Sequence, residues 1–271
     1  MTITSSGKVY IVGGGPGDPE LLTLKAKRII ESADVIIFAD SLVPPEVVEF
    51  AKEGARVVGS KEMNLDEIMD LELSSVREGK TVARVQSGDP SIYGAILEQM
   101  RILEQEGVDF EIIPGVSAAF AAAAVLRSEL TVPEKSQTII MTRMEGRVAM
   151  PEGEQLKDLA AHGCTMVIFL SITRMTKVVR ELTSSGYTED TPVAIVYRVG
   201  WPDQLIIRGT LKDIADKVRA AKITLQALII VGDAVDPELD AAGAVSHLYS
   251  ADYTHRYRRG TEIQANGNGK G

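Results

Sequence analysis

The chain has 271 residues, 45% hydrophobic and 25% charged, enough for a core in one large domain or two of ordinary size. With 38 acidic against 29 basic side chains the net charge is −9, the wrong sign for gripping a phosphate backbone, so no nucleic-acid partner is expected. No stretch reaches the ~18 apolar residues of a membrane span, and Cys164, the single cysteine, excludes an internal disulfide and a thiolate cluster and fits a reducing compartment.

The N-terminal MTITSSGK has no apolar run and is not read as a signal peptide, so a cytoplasmic location is expected. KVYIVGG (8–14) predicts a buried strand ending in glycine, residues 20–32 a helix, and ADVIIFAD (33–40) a second buried strand. Residues 64–78 read as a helix capped by Asn64, followed by a strand at TVARVQ (81–86) and a helix at 95–107. A strand at FEIIPG (110–115) and an alanine-rich helix from about Ser117 to Leu126 complete an alternation typical of a parallel α/β sheet. The periodicity breaks around Glu129–Ser136. Beyond it come a strand (137–143), a helix (153–163), a strand (164–171) and a helix (173–186). Residues 192–200 and 204–211 flank Trp201-Pro202-Asp203, a turn signal, and are expected to pair as a hairpin, which makes this second sheet mixed. A helix (211–221) and a strand (227–235) follow. The expected architecture is α/β, with two α/β domains, 7–130 and 136–245, and a ligand cleft between them. The extension 246–271 is polar and glycine-rich towards its end and expected to be disordered from about 260.

Ligands of open α/β sheets bind outside the carboxyl ends of the strands. Four such ends carry unusual loops: GGGPGDPE (13–20), ADSLVPP (39–45), QSGDPSIYG (86–94) and PGVSAAFAAAA (114–124). The first admits a dinucleotide reading, with Asp40 in the place of a ribose-binding acid. Against it, the G-x-G-x-x-G spacing from Gly13 meets Asp18, Pro16 has no N–H to offer, and Asp18 and Glu20 would repel a pyrophosphate. The alternative is a tight turn capped by Asp18. In the third loop Asp89 can cap the next helix with Pro90 at its first position, and Gly88 permits close approach of a ligand to the backbone. Two Gly-Asp-Pro turns suit a cationic or zwitterionic ligand better than a polyphosphate. Ala121–Ala124 read as a helix packed closely on its sheet, whereas Ser117 and Ala118 are candidates for ligand contact. His162, His247 and His255 have no metal-site spacing, and no metal is expected. Cys164 opens an apolar strand and reads as core rather than nucleophile. Arg143, Arg147, Arg174 and Arg198 lie in or near strand-end loops. They are either solvated or, as a group, able to bind a polycarboxylate.

Taken together, VGGGPGDPELLT (12–23), ADSLV (39–43), SGDPSIYGA (87–95), PGVSAAFAAAA (114–124), TRMEGR (142–147), VIFLS (167–171) and ALIIVGDAVDP (227–237) resemble the tetrapyrrole methyltransferase family over roughly residues 8–260. Gly13 stands in a GGG run where relatives often carry G-A-G. The resemblance implies a homodimer whose cleft holds S-adenosylmethionine and a corrin precursor macrocycle. ADSLV, TRMEGR and LYSADYTHRYRRG (248–260) narrow the implied reaction to methylation at C11 of precorrin-4 or its cobalt form. By motif, Pro16, Ser87, Gly88, Asp89, Ser117, Ala118, Leu170, Tyr197 and Ala227 would surround the cofactor. Asp40, Leu42 and Tyr93 would face the substrate. Asp40, Tyr93 and Ser117 would orient the macrocycle, and Arg143 and Arg147 would pair with its carboxylates. Methylation at another carbon or of uroporphyrinogen, a nicotinamide-dependent dehydrogenase and a non-catalytic tetrapyrrole carrier are the rival readings.

Overall fold

Five short apolar segments build the first sheet: β1 (Val9–Gly13), β2 (Val35–Phe38), β3 (Arg56–Gly59), β4 (Val82–Gln86) and β5 (Phe110–Ile113). In this computed structural model, which describes residues 7–238, 250–251 and 253–260, they are parallel in the order β3-β2-β4-β1-β5. The intervening helices are α1 (Leu24–Ser32), α2 (Leu65–Arg77) and α3 (Leu97–Gln105). Successive strand residues face opposite sides, so Val12, Ile36 and Val85 pack on Ala26, Ile29 and Ile30 of α1. Val9, Ile11 and Val82 pack on Met69, Leu73 and Val76 of α2 and Leu103 of α3. Both faces of the central strands are therefore covered, which is why these strands are mostly apolar, with Arg84 and Gln86 of β4 as buried exceptions. The chain leaves β1 over one face and β4 over the other. Their carboxyl ends thus flank a crevice, the usual ligand position in such sheets.

The helix expected at 20–32 begins only at Leu24. Residues Pro19–Leu21 instead form a 3-10 turn capped by the Asp18 carboxylate, and Thr23 caps α1. Asn64 caps α2 in a reciprocal box with Glu67. Asp89 caps no helix, because residues 90–93 turn and α3 starts at Leu97. Strand β3 is unforeseen. It is a short edge strand with mostly exposed side chains, held by its main-chain ladder to β2, so it has no hydrophobic signature.

The second sheet contains β6 (Ile139–Arg143), β7 (Thr165–Phe169), β8 (Pro192–Tyr197), β9 (Leu205–Thr210) and β10 (Ala227–Val231), in the order β6-β7-β10-β8-β9. It is mixed: β6 and β7 are parallel, and β8 and β9 form the expected antiparallel hairpin. Helices α5 (Leu156–Ala160), α6 (Met175–Thr183) and α7 (Ile214–Ala220) cover one face. The other face is covered by α4 (Ala118–Leu126), which follows β5 of the first sheet. Its Ala119, Ala121, Ala122 and Leu126 pack against Val167, Ala194, Val196, Leu228 and Ile230. Alanine lets a helix approach a sheet closely, and AAFAAAAVL has no polar stripe that would hold a face in water. Arg208 donates to the carbonyl of Leu126 at 2.8 Å, placing a cation at the negative end of α4. Among the described residues no helix is long and apolar enough to cross a membrane. The end of the tail expected to be disordered, 261–271, lies outside the described residues.

Candidate active site

The loops after β1 and β4 continue their pairing beyond the sheet. Gly14 N–H donates to Gln86 O at 2.7 Å, and Gly88 N–H to Gly15 O at 2.7 Å. The loop after β5 joins them. A Cβ at Gly115 would lie 2.1 Å from Gly88 O, and one at Gly13 would lie 2.5 Å from Gly115 N. Three segments thus touch backbone to backbone, a closeness only glycine permits. Asp89 fastens the knot: Gly115 N–H donates to one carboxylate oxygen at 2.9 Å and Ser91 N–H to the other at 2.9 Å. Burial pushes the Asp89 carboxyl up, but these hydrogen bonds and that from the Ser91 hydroxyl outweigh it and hold the group below its ordinary value. Asp89 is therefore an ionised staple. Ser117, buried, caps α4 by accepting from Ala119 N–H at 3.3 Å.

The second half closes the crevice. The β8–β9 turn presses on the first loop, where a Cβ at Gly17 would lie 2.3 Å from Cδ1 of Trp201. Gln226 donates to Ser41 O at 2.5 Å. The Tyr93 and Phe169 rings meet across the cleft with centroids 5.4 Å apart and planes at 55°. Tyr93, Leu170 and Arg198 have left-handed backbones, with φ of 56°, 52° and 45°. Each costs on the order of 1–3 kcal/mol, a strain that gathers at functional sites. Leu170 is 70% exposed, Tyr93 46% and Leu42 44%, so the rim offers apolar surface. Burial, the main cause, raises the Tyr93 phenol above its ordinary value, and Arg143 only partly offsets it, so at neutral pH it is a hydrogen-bond donor.

Pro16, Leu42, Ser87, Gly88, Asp89, Tyr93, Ser117, Ala118, Leu170 and Ala227 all line this one cleft. Asp40, Tyr197, Arg143 and Arg147 do not. The Asp40 carboxylate accepts from Lys61 N–H at 2.8 Å and packs on Gly59, joining the ends of β2 and β3. Tyr197 packs on the α5–α7 side of the second sheet, while its neighbour Val196 faces the cleft. Arg143 donates to the carbonyls of Met144, Val148 and Ala149 and so shapes its own loop, on which Arg147 is exposed. Arg174 donates to Glu145 O in the same loop. Cys164 is buried and its thiol is pushed up by burial. Of the four strand-end arginines only Arg198 lines the cleft, and the lining residues missed by sequence reasoning include Gln86, Phe169, Val196, Trp201 and Gln226. A single tryptophan in a hairpin turn, with arginine three residues before it, was the one available signal.

The fold is one of two α/β sheets with a cleft lined by strand-end loops of both. Residues 8–215 match the family described as Tetrapyrrole (Corrin/Porphyrin) Methylases. The chain is 54% identical over 252 residues to the cobalt-precorrin-4 C(11)-methyltransferase of Methanocaldococcus jannaschii, covering 93% of this chain and 96% of that one. It is also similar to the solved structure of a cobalt precorrin-4 methyltransferase, with TM-score 0.84 and 49% identity over 88% of this chain and 99% of that one. A uroporphyrin-III C-methyltransferase of Thermus thermophilus, solved with S-adenosyl homocysteine, gives TM-score 0.71 and 29% identity over 84% and 99%. The chain belongs to the tetrapyrrole methylase family, and the dinucleotide alternative for its first loop falls away.

Proposed function

We propose that this chain transfers the methyl group of S-adenosylmethionine to C11 of precorrin-4, in its cobalt-bound or metal-free form, in cobalamin biosynthesis. The observation that carries the reading is the main-chain knot at Gly13, Gly88 and Gly115 beside the apolar rim, in a chain so similar to enzymes named for this reaction. The residues present fit a zwitterionic sulfonium ligand. A Cβ on Gly13 or Gly115 would crowd the cradle, Gly88 holds a left-handed backbone with φ of 64°, and the first loop offers Pro16 rather than a phosphate-binding N–H.

When bound, S-adenosylmethionine supplies a methyl group already activated by its sulfonium. The protein has to align it with the acceptor carbon and exclude water; such positioning is worth about 7–11 kcal/mol in favourable systems. Ser87, Gly88 and Asp89 offer backbone along the cofactor, and Ser117 and Ala118 present the N-terminal end of α4 to an acceptor oxygen. Leu170 and Ala227 pack on the cofactor's nucleoside portion, with Val196 taking the place first given to Tyr197. Tyr93 donates to the macrocycle and Leu42 packs on it, while Asp40 acts from behind by holding the loop that carries Leu42.

The chain acts in the cytoplasm as a homodimer in this reading. Phe120 of α4 and Ile112 on the β5 edge, 56% and 40% exposed, are apolar surface that a second copy would cover. The test is incubation with 13C-methyl-labelled S-adenosylmethionine and precorrin-4, with and without cobalt, locating the new methyl by NMR. Label at C11 is expected. Label at another carbon refutes the regiochemistry, and unimpaired turnover by both Asp89→Ala and Tyr93→Ala refutes the site.

A further inference from the structure

The cleft wall includes two charged residues among those described, Asp89 and Arg198. Asp89 is occupied within its own half by Gly115 and Ser91. Arg198 is held differently. Its guanidinium lies 3.8 Å from the Trp201 ring centroid, and Nη1 sits 2.6 Å from the Asp203 carboxylate. Its backbone N–H donates to Gln226 O at 2.8 Å and its carbonyl accepts from Trp201 N–H at 3.0 Å, which fixes the left-handed bend from which the side chain departs. Among the described residues its Nε is buried with no acceptor. A buried donor without a partner costs about 1–3 kcal/mol, and a rigid guanidinium edge matches a carboxylate.

We propose that Arg198 is the carboxylate-recognition residue of this cleft, held over Trp201 so that its unpaired edge receives a carboxylate of the bound molecules. This rests on the cleft being the methyl-transfer site. Two occupants carry such a group: the methionine end of the cofactor and the acid side chains of the macrocycle. The other arginines flagged in the sequence are spent on loop carbonyls or lie outside the cleft. Trp201 has a different part. With Arg198 on its ring and Gly17 against its Cδ1–Nε1 edge, it is a positioning residue joining the cation to the first loop.

The experiment compares wild type, Arg198→Gln and Arg198→Lys by calorimetric titration with S-adenosylhomocysteine and with its decarboxylated analogue, alongside steady-state kinetics with precorrin-4. If the cofactor supplies the carboxylate, Arg198→Gln weakens S-adenosylhomocysteine at least tenfold and leaves the decarboxylated analogue within twofold. If the macrocycle supplies it, both nucleosides bind as in wild type and KM for the tetrapyrrole rises at least tenfold, by more than kcat falls. Arg198→Lys keeps the charge without the planar edge and is expected to recover only part of either loss. Equal weakening of both nucleosides overturns the proposal, since Arg198 would then shape the cleft without reading a carboxylate. Unchanged binding and KM overturn it too. Wild-type turnover in the same series reports separately on the assigned reaction.

Discussion

Glu72 of α2 is fully buried, and neither carboxylate oxygen has a hydrogen-bond partner among the described residues. The nearby buried cation is Arg84 of β4, whose guanidinium donates to Ile37 O at 3.3 Å and Ser60 Oγ at 3.1 Å. Burial pushes the Glu72 carboxyl up from 4.5 to about 7, and the charge of Arg84 pulls it back only partly. Between these two values the folded state holds a proton that the unfolded state has released. Stability therefore falls as pH rises across this window. At about 1.4 kcal/mol per pKa unit, the loss between pH 5 and pH 8 is about 3 kcal/mol. Glu72→Gln mimics the protonated side chain and removes this dependence. Exchange of amide for carboxyl adds an offset independent of pH, so the test is the divergence of the two curves. Thermal unfolding of both proteins at constant ionic strength from pH 5 to 8 should show the variant gaining about 6–12 °C on wild type, at ~2–4 °C per kcal/mol. Parallel curves would refute the reasoning, and they are the result expected if Arg84 and Glu72 instead stabilised each other as an ion pair, because Glu72 would then titrate below this pH range.

Gly115→Ala would drive a methyl group to 2.1 Å from Gly88 O; calorimetry should show S-adenosylhomocysteine binding weakened at least tenfold. Gly17→Ala displaces the indole of Trp201, the single tryptophan, so intrinsic fluorescence should shift in the free protein, and an unaltered spectrum would contradict the Gly17–Trp201 contact. Asn64→Ala removes the cap of α2 and should cost about 1 kcal/mol by denaturant unfolding, with cofactor affinity unchanged.

Strands buried on both faces announce themselves as apolar runs, which is why β1, β2, β4, β7 and β10 and the loops at their ends could be read from residue order. The same property hides the phase of a strand. In PVAIVY every residue is apolar, so nothing in the sequence says that Val196 rather than Tyr197 turns to the cleft. Arg143 and Arg198 are equally ambiguous, since both stand at strand ends. What separates them is local backbone: Arg143 reaches carbonyls of its own loop, whereas Arg198 sits at φ 45° with Trp201 beneath it. Edge strand β3 and the 3-10 turn before α1 depend on main-chain partners that no side-chain pattern records.

Helix α4 decides how the two halves relate. By chain order it closes the first half, but its alanines are buried against β7, β8 and β10. The residues at its start, Ser117 and Ala118, therefore move with the second sheet while also touching the glycine knot of the first. The Gln226–Ser41 hydrogen bond and the Gly17–Trp201 contact add two further ties at other corners of the cleft. Opening the halves as a hinge would have to break both ties and part the start of α4 from the glycine knot. A cleft fastened in this way is already organised before the ligands arrive. That suits a reaction in which the methyl group is activated by its own sulfonium and the protein's contribution is alignment.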